Sequence, residues 1–247
     1  MPMIAPRLLG PLSALAALVA TLAPATAETW RLHPKAVVEL FTSQGCSSCP
    51  PADALLSSLA GEDDVIALAY HVDYWDYVGW PDTFGSPDNS DLQRSYAKGW
   101  NSSRIYTPQM VINGTKDVVG SRRGEVQSAL QEARLDLPVQ ITVANQMLKI
   151  AVPARSGDKD AVVWLVTYRD RAEVAIAGGE NAGKTMVYTQ VVTRRQLLGM
   201  WEAATGAQLK LPLDEVLDQD SSGVAVLVQQ DANGLPGPIV GAAAFER

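Results

Sequence analysis

Two short apolar runs bracket one stretch of helical spacing, and that order leaves residues 36–72 few ways to fold. Ala36 to Phe41 is rich in Val and bounded by small polar residues, as a buried strand requires. Val65 to Val72 repeats the pattern. Between them, Leu55, Leu56 and Leu59 fall at helical spacing within Ala52 to Ala60, and Gly61 ends that run. A strand, helix and strand of these lengths predict a right-handed crossover between parallel strands.

Asp73 to Tyr106 follows, with Trp75, Trp80 and Trp100 and a helix predicted near Leu92 to Lys98. Gln109 to Ile112 is a short strand ended by the hairpin turn Asn113-Gly114. Val118-Val119 is the returning strand, and Gly124 to Leu135 fits a last helix. Beyond Pro138 the apolar residues alternate with period two: Val139-Ile141-Val143, Leu148-Ile150-Val152, Val162-Trp164-Val166, Val174-Ile176, Val187 to Val192 and Val224-Val226-Val228. Strands this short and regular predict an antiparallel sandwich. Helical spacing from Arg194 to Ala203 predicts one helix or turn inside it. Gly178-Gly179-Glu180-Asn181-Ala182-Gly183-Lys184 lacks phosphate-loop spacing and is expected to be a hairpin loop. Its Glu180, Asn181 and Lys184 are candidates for facing a partner or the neighbouring domain.

The N-terminus reads as an export signal over residues 1–27. Arg7 supplies the charge, Leu8 to Ala23 the apolar run, and Ala25-Thr26-Ala27 the small-residue pattern before a cut at Glu28. The expected location is therefore periplasmic or secreted, with no membrane attachment after cleavage. A formal net charge of -7 and no basic run argue against nucleic-acid partners.

The chain has 2 cysteines, Cys46 and Cys49. A bridge between them closes so small a loop that it stabilises little, so chemistry explains the pair better than stapling. Both lie between a predicted strand and a predicted helix. Unpaired N–H groups at a helix start favour a thiolate, the reactive species in disulfide exchange. By position Cys46 is the exposed nucleophile and Cys49 the resolving thiol. Pro50 and Pro51 each remove a donor that would otherwise support the thiolate.

Thr107-Pro108 precedes the strand Gln109 to Ile112, and a cis bond is expected there, with the Thr107 backbone beside the cysteines to pair with an extended substrate. Ser47, Ser48 and Trp75 join Thr107 as substrate-binding candidates. Glu39 interrupts a buried strand seven residues before Cys46, so its carboxyl is a candidate proton acceptor for Cys49; a Glu at a sheet edge or facing water is the other reading. His71 and Asp73 share a strand face and either assist proton transfer, ligate a metal or anchor Trp75 and Trp80. Cys46, Cys49 and His71 are soft ligands suited to copper, but the remaining histidine is His33, too few for a structural zinc.

Three segments carry a resemblance: Glu39 to Asp53 (ELFTSQGCSSCPPAD), His71 to Asp76 (HVDYWD) and Thr107-Pro108-Gln109, with Gly179-Glu180-Asn181 further on. They resemble a family of exported bacterial thioredoxin-like proteins catalogued as a domain of unknown function. The resemblance spans nearly all of the mature chain. It implies an α/β thioredoxin-like domain over residues 28–136 followed by an all-β sandwich-like domain over residues 137–247. The chain departs from thioredoxin where Gly45 replaces an aromatic residue and Ser47-Ser48 replace Gly-Pro. The leading expectation is a thiol–disulfide oxidoreductase acting on protein or small thiols and disulfides, recycled by a redox partner protein and needing no cofactor. The alternatives are copper binding or delivery, and a redox-inert interaction protein.

Overall fold

The computed structural model describes residues 29–247, with Met1 and Met3; the expected export signal lies outside these. The first strand, β1 (Thr29–Arg31), leads into β2 (Ala36–Thr42), helix α1 (Pro50–Ala60) and β3 (Val65–His71). β2 and β3 are parallel, with Ala36 opposite Val65 and Thr42 opposite His71. α1 starts directly after Cys49, earlier than its leucine spacing predicts. Pro50 and Pro51 occupy first-turn positions whose N–H groups would have no helical partner anyway.

Helix α2 (Pro87–Gly99) follows a single 3-10 turn, Asp76–Val78. The Ser86 hydroxyl caps α2 by accepting the Asp88 N–H at 3.2 Å. β4 (Gln109–Ile112) runs antiparallel to β2 and turns at Asn113-Gly114 into β5 (Lys116–Val119); α3 (Arg123–Glu132) closes this half.

The second half contains β6 (Gln140–Ala144), β7 (Met147–Val152), β8 (Ala161–Ala175), β9 (Thr185–Trp201), β10 (Ala207–Pro212), a single turn of helix α4 (Leu213–Val216), β11 (Gly223–Asp231) and β12 (Pro236–Glu246). Strands β10, β7 and β6 form a small sheet. It packs on the large sheet through Ile141, Leu148, Ile150, Val163, Leu165, Val226 and Trp201. Burying these side chains is the main force holding the two sheets together.

Residues on both sides of Pro138 share one nine-stranded sheet, in the order β1-β12-β11-β8-β9-β3-β2-β4-β5. The two halves join where Ala69 of β3 pairs with Val191 of β9. They also share a core in which Phe41, Tyr70 and Tyr96 meet Val166, Leu227 and Ala242. The opposite face of β2 carries Val38 and Leu40 against Leu55 and Leu56 of α1.

The helix or turn expected at Arg194 to Ala203 is instead the end of β9. Two register shifts against β8 explain the misleading spacing. Val163 pairs with Gly199 but Trp164 with Leu197, and Thr167 pairs with Arg194 but Tyr168 with Val192. Each extra residue moves the next side chains to the other face, so the alternation breaks without the strand ending.

Candidate functional site

Residues 43–49 form the loop between β2 and α1, and Cys46 and Cys49 are joined in a disulfide within it. The Cys46 N–H donates to the Ser43 carbonyl and the Cys49 N–H to the Cys46 carbonyl, both at 3.2 Å. Ser47 and Ser48 are exposed, but Cys46 and Cys49 are each 0% exposed. The expectation that Cys46 is exposed is therefore corrected. Two segments distant in sequence pack against its loop.

One segment is the loop after β3. A side chain at Gly45 would lie 3.1 Å from Val78 and 3.2 Å from Trp75, so these two residues fill the space an aromatic neighbour of Cys46 would need. The Trp75 indole N–H donates to the Thr107 hydroxyl at 2.7 Å, so Trp75 meets the cysteine loop through its Cβ and backbone and the Thr107-Pro108 loop through its ring. The Thr107–Pro108 bond is cis, and Pro108 is buried. Gln109 pairs with Phe41, which puts Pro108 at the end of the sheet where the cysteine loop begins.

The other segment is the tip of the β8–β9 hairpin. The buried Asn181 amide donates to the carbonyls of Gln44 at 2.9 Å and Cys46 at 3.0 Å. The Glu180 carboxylate accepts the Ser47 N–H at 3.1 Å. Hydrogen bonds from the Ser47 side chain and backbone hold the Glu180 carboxyl below its ordinary value. Gly178 lies so near the Gly79 carbonyl that a Cβ would stand 2.6 Å from it.

Beneath the loop lies a buried polar cluster. The Asp82 carboxylate accepts the Gln44 N–H at 2.7 Å and pairs with His71 Nδ1 at 2.8 Å. Burial alone would raise the Asp82 carboxyl, but His71 and the N–H groups of Gln44 and Phe84 outweigh it and hold it low. Asp53, in the first turn of α1 and four residues beyond Cys49, accepts the Thr42 hydroxyl at 2.8 Å. Its other oxygen and His71 Nε2 are both buried without a hydrogen-bond partner among the described residues. Burial raises Asp53 from 3.8 to about 6, against the opposing pull of His71 and Thr42. A carboxyl that titrates near neutrality one helical turn from Cys49 is suited to passing a proton.

Glu39, expected beside Cys49, is placed elsewhere. Alternation along β2 turns it away from α1, toward Val37 and Phe41, where its carboxylate accepts the Tyr96 hydroxyl at 2.6 Å. Burial raises its carboxyl above the ordinary value, although Tyr96 and Arg195 oppose this. Asp73 likewise partners Ser90, not His71. Among the described residues, no three His, Cys, Asp or Glu side chains group closely enough to hold a metal ion. Asp53 and Asp82 were not singled out from sequence; for Asp53 the acid in a first helical turn, Pro51-Ala52-Asp53, was an available signal.

No match was found among proteins of curated function. The crystal structure of protein AGR_C_4864 from Agrobacterium tumefaciens is similar, with 35% sequence identity and a TM-score of 0.78, covering 87% of this chain and 95% of that one. The model of the family described as "Protein of unknown function (DUF1223)" matches residues 37–229, and the chain belongs to that family.

Proposed function

We propose that this chain is a thiol–disulfide oxidoreductase working through Cys46 and Cys49, with a thioredoxin-like first half and a sandwich-like second half. One observation carries the reading: the disulfide precedes the first turn of α1, and the Thr107-Pro108 loop lies at the same end of the sheet. In the oxidised protein a substrate thiolate attacks the Cys46 sulfur. The Cys46–Cys49 bond breaks, its electron pair leaves on Cys49, and a mixed disulfide joins substrate and Cys46. Protonated Asp53 gives its proton to the Cys49 thiolate. A second substrate thiol then displaces Cys46, so the substrate ends as a disulfide and the chain as a dithiol. The reverse sequence reduces a substrate disulfide. The pair suits an oxidising compartment, in keeping with the expected export signal. Among the described residues no helix is long and apolar enough to cross a membrane.

A structural bridge is the second reading, favoured by the complete burial of both sulfurs. Equilibration with a glutathione series, followed by thiol trapping, separates the two. An exchange enzyme should titrate at roughly −120 to −270 mV, whereas a structural bridge resists reduction below about −300 mV. Cys49→Ser should accumulate mixed disulfides and Cys46→Ser should not; equal behaviour of the two variants would defeat the assigned roles.

A further inference from the structure

We infer that the β8–β9 hairpin tip belongs to the redox site, with Asn181 a positioning residue that holds the Cys46 loop shut and selects extended peptide substrates over small thiols. This rests on the oxidoreductase reading.

The tip meets the cysteine loop through hydrogen bonds from two adjacent side chains. Asn181 takes the carbonyls of Gln44 and Cys46, and Glu180 takes the Ser47 N–H. Lys184 donates to the Asn181 carbonyl oxygen at 2.8 Å, which leaves the amide nitrogen to face the loop. The rest of the contact is the approach of Gly178 and Gly179, which carry no side chains, to Val78, Gly79 and Trp80. Ala182, Gly183 and Lys184 are exposed, and Gly179 and Gly183 have φ of 69° and 81°, which glycine adopts without strain. A segment held by polar contacts, with little apolar burial, opens locally at less cost than global unfolding.

Opening uncovers the sulfurs and frees the Gln44 and Cys46 carbonyls. The Gln44 carbonyl then needs a new donor, because an unpaired acceptor is costly, while the Cys46 carbonyl keeps the Cys49 N–H. An extended peptide brings backbone N–H groups that can replace both bonds from Asn181; a small thiol brings none. Glu180 adds a second control. In the closed state its negative charge sits on the Ser47 N–H, one residue from Cys46, and disfavours a thiolate there. The titratable and charged groups facing the loop are Glu180 and Lys184 from the tip, His71 and Asp82 beneath it, and Asp53 from α1.

The test uses the oxidised full chain. The disulfide is reduced by dithiothreitol and, separately, by a short extended peptide carrying one cysteine, with thiols trapped over time. Asn181→Ala removes two hydrogen bonds, so reduction by dithiothreitol should quicken about thirtyfold. Reduction by the peptide should quicken by the same factor, since Asn181 has released both carbonyls before either reductant reaches sulfur. Selection is read in the native chain, where the peptide should react about tenfold faster than the same peptide N-methylated on both sides of its cysteine. Equal native rates for the peptide and its N-methylated form would overturn the selection of peptides. A dithiothreitol rate within twofold of native, in a variant with an unchanged melting temperature, would overturn the closure itself. Should Asn181→Ala fail to fold, Glu180→Gln decides, since Glu180 is exposed. In the reduced chain its pH profile for Cys46 alkylation should move to lower pH; an unmoved profile counts against the tip as part of the site. All these rates report access to sulfur, so they stand apart from the glutathione titration. That titration alone can fail the oxidoreductase reading while the closure is upheld.

Discussion

Replacing Asp53 by Asn should stabilise the oxidised protein at neutral pH, although it removes a buried, hydrogen-bonded acid. The carboxyl ionises at 3.8 ordinarily and at about 6 in the folded chain, because burial penalises its charge. Between those two values the folded state holds the proton more tightly than the unfolded state. This group's contribution to stability therefore falls as pH rises through that window. At pH 7.5 the ionised Asp53 costs about 3 kcal/mol, and at pH 4.5 about 1 kcal/mol. Asn is a neutral group of the same shape, and its carbonyl oxygen can still accept the Thr42 hydroxyl. Scanning calorimetry of the two oxidised proteins should then show Asp53→Asn melting about 6–12 °C higher at pH 7.5. The gap should shrink to about a third of that at pH 4.5. Because only one group differs, the other carboxylates cancel in the comparison. A variant less stable than native at pH 7.5, or a gap that does not shrink toward acid, would refute the reasoning.

Glu39→Gln should leave disulfide exchange unchanged, since the carboxyl bonds Tyr96 on the sheet face away from α1; a tenfold loss in the rate of disulfide reduction by dithiothreitol would bring Glu39 back to the proposed redox site. Gly114→Ala should destabilise the fold by about 2–4 kcal/mol, read as a lower denaturant midpoint. Gly114 has φ of 65°, and a Cβ there collides with the Gly237 carbonyl, so an unchanged midpoint would contradict the turn geometry.

Local rules predicted local features of this chain. The runs at Ala36 to Phe41 and Val65 to Val72 are strands, Asn113-Gly114 is a hairpin turn, and Thr107–Pro108 is cis. Each depends on neighbours within a few residues. β12 escaped notice because Gly241-Ala242-Ala243-Ala244 shows no alternation. The strand is paired on both sides, by β1 and β11, and all three alanines are buried, so no polar face marks it. The contacts around the disulfide were legible only in part: Glu180 and Asn181 were candidates for facing the neighbouring domain, but not for meeting the cysteine loop. Asn181 lies 135 residues from Cys46, and nothing in local spacing tells which hairpin tip will reach which loop. Glu39 misled because an acid in a buried strand signals function without saying which face it points to.

Asp53 shows how the stability and the proposed chemistry bear on one another. An acid that costs about 3 kcal/mol at neutral pH is a poor choice for packing alone, and Asn would fill the same space. Thr42 satisfies one oxygen, while the other stays without a donor among the described residues. Strain of this kind collects where a group must change its protonation state. If Asp53 supplies the proton to Cys49, Asp53→Asn should trade stability for rate, and exchange at pH 7 should fall about a hundredfold. Calorimetry and exchange kinetics on that single variant then bear on each other. Higher stability with full activity would make Asp53 a buried acid without a part in the reaction, and the proton would have to reach Cys49 from solvent once the hairpin tip opens.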